Sequence, residues 1–564
     1  MEIHLSHDDH WVEVDGTWVH GDAFIDGTLF SSIELAEKIS AIDDKSELKE
    51  ILRQARGFFS ILHDLGDRIF LAVDHVRSWP VYYATTDGIY VSDSAEWVHE
   101  TGANRGYDPV AATEYLFTSY VSGSETLSRD VKQVQAGEIV TLHADQSDQR
   151  VARESYFVHD PADSSIEIET ADLDQIVTEI CSDLIEYAGG RTILLGLSSG
   201  YDSRLIALVL SRLGYDDVVT YTTDTASGSS ADIPVARSIA TDLGYDHLEI
   251  RYDTSDFEYF ERSERLQEFV RDIGFLSEYP QVHKLVEHEK LTAAGISPED
   301  VVHVMGHHAL GGATHIPQWV AEQDTITRTE FFDLLWKFHY SNWNEPAGSR
   351  WRELFEGYIL DRNPSNLYSN RAVEASPDAV SGLELWYWQE RLPKYLTARR
   401  EYAHLGYDSW NPLTDRRFYE FLDGTSHRSR VGKRVLKEYV YELDVERRGS
   451  SDLDVSASDD SPQSTEAKVW KNVIRLVGEL PEPVEKPIRQ TYRDQQSKTA
   501  YETDARYGIV PESEFNAISF RKVQYRPLLF LLLYKNGFFE LPGSTELDRA
   551  LGENQQHHEF RSGG

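Results

Sequence analysis

The sequence predicts an α/β protein in two parts. A β-rich N-terminal region is followed by a parallel sheet with crossover helices, which passes into a helical C-terminal half. Three observations predict this. Short alternating apolar runs separated by Asp-Gly and Gly-Asp turns fill the first hundred residues. From about Asp172, apolar runs of strand length alternate with segments of helical period. Beyond Thr327 the chain is rich in Trp and Tyr and keeps a helical period.

In chain order, Trp11–Gly16 alternates and ends in Asp15-Gly16, a strand running into a turn. Gly57–Asp64 and Arg68–Val73 flank Gly66-Asp67 as one hairpin. Val81–Ala84 and Ile89–Ser92 flank Asp87-Gly88 as a second. A single helix is expected over Glu34–Leu52. Residues 108–170 read as a connector, with a helix over Asp108–Tyr120, turns from Gly123 to Gly137 and a strand at Glu138–Leu142. Strands are then expected at Ile193–Leu197, Val218–Thr222, Leu248–Tyr252 and Val301–Met305, with helices between. This gives three regions, 1–107, 108–170 and 171–564. Within the last, the acidic and polar segment 449–464 reads as a mobile loop or linker. No internal repeat is visible.

A length of 564 residues suits two to four domains. The formal net charge of −41 argues against nucleic acid as a partner. No single acidic block suggests a dedicated basic partner. Acidic residues are spread along the chain, the surface expected of a halophilic protein in a salt-rich cytoplasm, a composition of haloarchaeal type. The only cysteine, Cys181, sits in an apolar periodic segment and reads as a small core residue rather than a nucleophile. Met1-Glu2-Ile3-His4 has neither a basic region nor an apolar run. The strongest apolar run, Leu528–Tyr534, falls far short of the roughly 20 residues that cross a membrane. A cytoplasmic chain without membrane contact is expected.

The segment Ile193-Leu194-Leu195-Gly196-Leu197-Ser198-Ser199-Gly200-Tyr201-Asp202-Ser203-Arg204 carries the strongest chemical signal. A buried strand feeds a helix, Leu205 to Leu213, through a turn of small residues. Small side chains let backbone N–H groups approach an anion, and a helix N-terminus adds partial positive charge. Asp202 offers a carboxylate oxygen to Mg²⁺ on a polyphosphate. The Gly-Lys-Ser/Thr ending of a Walker A loop is absent. The plainer alternative is an ordinary strand-to-helix turn with Asp near a helix start. The loop resembles the SGGxDS loop of the PP-loop ATP pyrophosphatases, read as Ser198 to Ser203, with Ser199 in place of the first glycine.

Further segments follow the order found in the asparagine synthetase family, including its β-lactam synthetase relatives, over roughly residues 50 to 440. Gly57-Phe58-Phe59 and Ala72–Tyr83 resemble G-x-F … RDxxGxxPLYY, and Ser92–Glu96 stands where S-E-x-K would fall. Glu114-Tyr115-Leu116 … Gly137-Glu138 … Tyr156-Phe157 resembles EYL … PG … YW. Tyr221-Thr222-Thr223 and Asp232–Ala236 are similar to TFS … DExxxA, Gly406–Asp415 to GLEVRVPFLD, and Gly432–Lys437 to GKYILR. The resemblance implies an Ntn-type amidotransferase-like first domain and a PP-loop synthetase domain. It implies ATP and Mg²⁺ as cofactors and a small-molecule carboxylate and an amine as substrates. The carboxylate would be adenylated and the amine would displace AMP, as in asparagine biosynthesis. Leu197, Ser198, Ser199, Gly200, Asp202, Ser203, Thr222 and Gly306 would bind ATP, and Asp202 would also hold the metal. Lys433 would neutralise charge at the α-phosphate, and Asp408 would replace the family's Glu. As plain residues, Lys433 also reads as a helix-surface lysine and Asp408 as a turn residue. The aromatic-rich helical half leaves room for a homodimer interface.

The chain departs from the family in two places. The nucleophilic N-terminal Cys is missing, so a truncated amidotransferase remnant without glutamine hydrolysis is expected. The acidic loop SGEGADELFGG is replaced by Gly306–His315, with His307 at the Glu position and Ala309 or Leu310 at that of the Asp. His307 would suit a base. The set His307, His308 and His315 also suits a transition metal, or merely hydrogen bonds to the loop backbone. Two readings stand: an ATP-dependent amide-forming ligase, and a non-catalytic homologue that binds a nucleotide or a partner.

Overall fold

A computed structural model of the chain describes residues 1–448 except 7–9, 103–105, 145–149, 160–165, 225–231, 258–262, 307–315, 317–319, 321–326, 341, 343–351, 353–354, 357–378 and 396–397, and beyond 448 only Arg506, Leu533 and Gly537. His307, His308, His315 and the segment 449–464 lie outside the described residues, while beyond Thr327 the described part is largely helical as expected, with helices at Arg328–Phe338, Ala379–Trp386, Ala398–His404, Arg416–Asp423 and Arg434–Arg448.

The N-terminal turns do what their sequences ask. Asp15 and Gly16 both take positive φ, 46° and 75°, and close a hairpin between Val12–Val14 and Thr17–Ile25. Gly66, at φ 84°, closes Arg56–Asp64 onto Arg68–Val73. These strands belong to a seven-stranded sheet in the order 151–155, 138–143, 68–73, 56–64, 17–25, 12–14, with Thr28–Phe30 also on 17–25. A second sheet of four strands runs 2–4, 90–92, 82–84, 132–133. Leu62, Ile69, Leu71 and Val73 meet Val81, Tyr83 and Val91 between the two sheets. The other face of the larger sheet is covered by Leu35, Ile39, Leu48 and Leu52.

Two expectations change here. The helix expected over Glu34–Leu52 is two, Ser32–Ser40 and Lys45–Gln54. Asp44 breaks it, because its carboxylate accepts the Ser46 and Glu47 N–H groups at 2.8 and 3.3 Å and starts a new helix. The segment expected to be a connector supplies strands to both N-terminal sheets. Glu138–His143 is an interior strand because its residues up to Leu142 are buried, and it pairs on both edges.

The second sheet system is parallel throughout, in the order 246–251, 218–224, 192–196, 301–305, 408–409. The strand Thr192–Gly196 is central. The chain leaves it to one side through 218–224 and 246–251, then returns on its other side as 301–305. Its carboxyl end is therefore a switch point, where open α/β sheets form a crevice. Ile193 and Leu195 pack with Leu205 and Val209 of the helix Tyr201–Arg212, and Leu194 packs with Tyr221 and Ile250 in a separate cluster. Cys181 is buried within the helix Thr170–Ala188, and burial pushes its thiol up to about 12.

The two parts share a core: Phe24 and Phe58 of the first sit edge-on to Trp410 of the second. Arg416 donates to the Leu52 and Ala55 carbonyls at 3.2 and 3.1 Å, and Trp388 donates to the His75 carbonyl at 3.0 Å. Among the described residues no helix is long and apolar enough to cross a membrane.

Candidate active site

The loop Leu197–Gly200 sits at the carboxyl end of the central strand. Its first residue is anchored to the neighbouring strand: the Leu197 N–H donates to the Tyr221 carbonyl at 2.8 Å, and Thr222 Oγ1 donates to the Leu197 carbonyl at 2.5 Å. Thr222 thus shapes the loop from below. The next amides are held by side-chain oxygens. Ser198 N–H donates to Ser203 Oγ at 3.1 Å, and Gly200 N–H donates to Ser198 Oγ at 3.1 Å. Ser199 N–H donates to Asp232 Oδ1 at 3.2 Å, and its hydroxyl donates to the same oxygen. Arg204 Nη2 binds the Ser199 carbonyl at 3.0 Å. Every backbone donor of the turn points at an oxygen, one of them a full anion. Grouped beside a helix N-terminus, these amides are donors that an incoming anion would have to take over from the chain's own oxygens.

Gly306 explains itself at this point. A Cβ there would overlap the Cα and Cβ of Ser203, so the end of Val301–Met305 closes directly on the start of the helix Tyr201–Arg212. Gly306→Ala is expected to cost about 1–3 kcal/mol by overpacking, read as a lower thermal midpoint.

Asp202 is the second residue of that helix. Lys433 Nζ reaches both of its carboxylate oxygens at 2.8 Å, across 231 positions of sequence. The pair is partly sheltered, with side-chain exposures of 26% for Lys433 and 14% for Asp202. Lys433 follows Gly432, and both take positive φ, 58° and 71°. For lysine that conformation is strained, and strain of this kind collects at functional positions. The helix Arg434–Arg448 then packs along Tyr201–Arg212, and Tyr439 donates to Asp174 at 2.6 Å. Lys437 lies 5.7 Å above the Tyr201 ring.

The structure thus brings Leu197, Ser198, Ser199, Gly200, Asp202, Ser203, Thr222, Gly306 and Lys433 to one place. It does not bring Asp408 there. Asp408 pairs in register with Val302 and makes an ion pair with Arg191, the residue before the central strand. It therefore stands toward the amino end of the sheet, away from the loop, with its side chain 56% exposed. Sequence order alone did not reveal two members of the site, Asp232 against Ser199 and Arg204 folded back on the loop.

Two families match this chain. Residues 38–156 match the glutamine amidotransferase domain, and residues 190–273 match asparagine synthase. Proteins named "Putative asparagine synthetase (glutamine-hydrolyzing)" from Mycobacterium bovis and Mycobacterium tuberculosis are 30% identical over 212 residues, covering 35% of this chain. The chain spans 32% of the length of these curated relatives. Together these matches support a place near the asparagine synthetase family. Among solved structures, an NH3-dependent NAD synthetase from Campylobacter jejuni aligns at 15% identity and TM-score 0.18, over 26% of this chain and 61% of that one. A glutamine phosphoribosylpyrophosphate amidotransferase from B. subtilis aligns at 12% identity and TM-score 0.19, over 43% and 72%. Likenesses at that level carry no argument.

Proposed function

We propose that the chain is an ATP-dependent ligase of the asparagine synthetase type. It activates a small-molecule carboxylate as an acyl-adenylate and forms an amide with ammonia or a substrate amine. The carboxylate oxygen attacks the α-phosphorus and pyrophosphate leaves. The amine nitrogen then attacks the acyl carbon, AMP leaves with the C–O bond electrons, and the nitrogen gives up a proton.

The single observation that carries this reading is Lys433 on Asp202. A lysine from a distant helix start, held in a strained backbone, is delivered to the acid beside the loop amides at a topological switch point. In this reading the loop amides orient the phosphates, and Lys433 meets the negative charge that develops at the α-phosphate. Mg²⁺ is bound through one or two carboxylates together with substrate phosphates and waters. Asp202 can serve as such a carboxylate, although among the described residues no group of three His, Cys, Asp or Glu side chains converges. The ion would supply charge neutralisation on the polyphosphate. Asp408 has no part in this site.

In this reading the chain hydrolyses no glutamine. The only thiol of the sequence, Cys181, lies in the helix that covers the second sheet system, and its raised pKa keeps it a poor nucleophile. The charge of −41 suits work in a salt-rich cytoplasm. The test is pyrophosphate release with MgATP in concentrated KCl across a panel of carboxylates and amines. Turnover with any pair supports the ligase.

A second reading, a non-catalytic homologue, draws on the same geometry, since Lys433 closes Asp202 and Asp232 caps the loop. Nucleotide binding without pyrophosphate release under every substrate would select it.

A further inference from the structure

The Asp232 carboxylate is itself an anion seated on the loop. It accepts both the amide and the hydroxyl of Ser199, while Arg204 fixes the Ser199 carbonyl from the other side. Ser199 is thus clamped at each of its polar groups. Asp232 opens the helix Asp232–Leu243, so its carboxylate also lies at a positive helix end that favours charge there. The Ser198 and Gly200 amides are held by neutral hydroxyls, Ser203 Oγ and Ser198 Oγ, which a phosphate oxygen displaces at little electrostatic cost. Asp232 differs, because it is charged and repels a polyphosphate that is not neutralised.

We propose that Asp232 is a positioning and gating residue of the phosphate loop. Its carboxylate stands in for a phosphate oxygen on the Ser199 amide, and yields that amide only to a polyphosphate already carrying a divalent cation. The inference rests on the ligase reading for its ligand, a nucleoside triphosphate or pyrophosphate. It goes beyond that reading by naming what excludes the metal-free form. Lys433 on Asp202 works in the same direction. Bare polyphosphate meets Asp232, whereas the cation-bound form offers Asp202 a replacement for the lysine and frees Lys433 for the phosphates.

The experiment measures binding of ATP and of inorganic pyrophosphate to the full chain by calorimetry, each with Mg²⁺ and with EDTA. The variants are Asp232→Asn, which keeps an acceptor for the Ser199 amide, and Ser199→Gly, which removes the hydroxyl contact. The wild type is expected to bind either probe with Mg²⁺ and poorly in EDTA. Asp232→Asn is expected to bind both probes roughly tenfold more tightly in EDTA, the effect of one like charge removed at short range, with little change in Mg²⁺. Ser199→Gly is expected to move the same way by a smaller factor. Equal affinities for wild type and Asp232→Asn in EDTA would overturn the proposal, as would equal losses under both conditions, which would make Asp232 a scaffold contact only. Failure of the ligase reading has a different signature, an absence of pyrophosphate release by the wild type whatever the binding data show.

Discussion

Asp202→Ala is expected to abolish MgATP-dependent pyrophosphate release while leaving the chain folded. The acid sits at the head of the helix Tyr201–Arg212, where it contacts Lys433 rather than the hydrophobic core. An ion pair of this partly exposed kind contributes about 1 kcal/mol or less to stability, so the melting temperature should move little. The catalytic loss is expected to be far larger, on the order of 100-fold or more, the scale seen when one preorganised electrostatic group is removed from a site. Lys433→Ala should match it in rate. The two variants separate in binding, since losing Asp202 should weaken the Mg²⁺ dependence of ATP affinity, whereas losing Lys433 should leave that dependence in place. Lys433→Arg should not restore full turnover. Its planar fork has a different reach from that of an ammonium, and the left-handed backbone at 433 leaves little freedom to readjust. If Asp202→Ala kept wild-type pyrophosphate release, the loop would not be the reaction site.

The strand-to-helix loop was legible because its signals are local: an apolar run, small residues, then a helical period. Four of the five parallel strands of the second part were legible for the same reason, Val301–Met305 to the residue, whereas the two-residue strand Asp408–Ser409 was not. Lys433 came from a resemblance, and no local pattern pairs a lysine with an acid 231 positions away. Asp232 was visible only at the acidic place of the DExxxA resemblance, and its contact with Ser199 depends on how the helix Asp232–Leu243 is laid beside the central strand. Asp408 shows the opposite failure. Motif order placed it with the catalytic groups, whereas strand register fixes it beside Val302, near the amino end of the sheet. The split of the Glu34–Leu52 helix was missed because both halves bury apolar residues at helical spacing, and only the Asp44 cap marks the break.

Glu278→Ala should be the most destabilising single change in the seam between the two parts. The segment 275–281 is the strap that joins them. Phe275 and Leu276 donate their N–H groups to Glu96 at 2.6 and 3.2 Å, Ser277 Oγ meets Tyr82 at 2.8 Å, and the Gln281 N–H donates to Glu401. In its middle, Glu278 lies 2.6 Å from Arg400 and 3.7 Å from Arg77, with all three side chains 10% exposed or less. Arg77 reaches it from a left-handed backbone at φ 56°. Truncating Glu278 leaves two guanidinium groups facing each other in a dry seam, at a cost of about 3–5 kcal/mol. That corresponds to a fall in melting temperature on the order of 10 °C. Asp67→Ala, at the exposed Arg68 pair, should change nothing measurable. The pH dependence has a definite sign. Burial pushes the Glu278 carboxyl up, but Arg77 and Arg400 outweigh it and hold the pKa below its ordinary value of 4.5. Its contribution is therefore present above pH 4.5 and is lost as pH falls through the folded-state value. Glu96, Glu114 and Glu401 go the other way, since burial raises each to about 7. The folded chain then holds more protons than the unfolded chain between the ordinary 4.5 and about 7, so stability declines as pH rises through that window. Thermal melts across the range should show the strap tightest on the acid side of neutrality. Glu96→Gln should flatten the decline, and a profile unchanged by that substitution would remove Glu96 from the account.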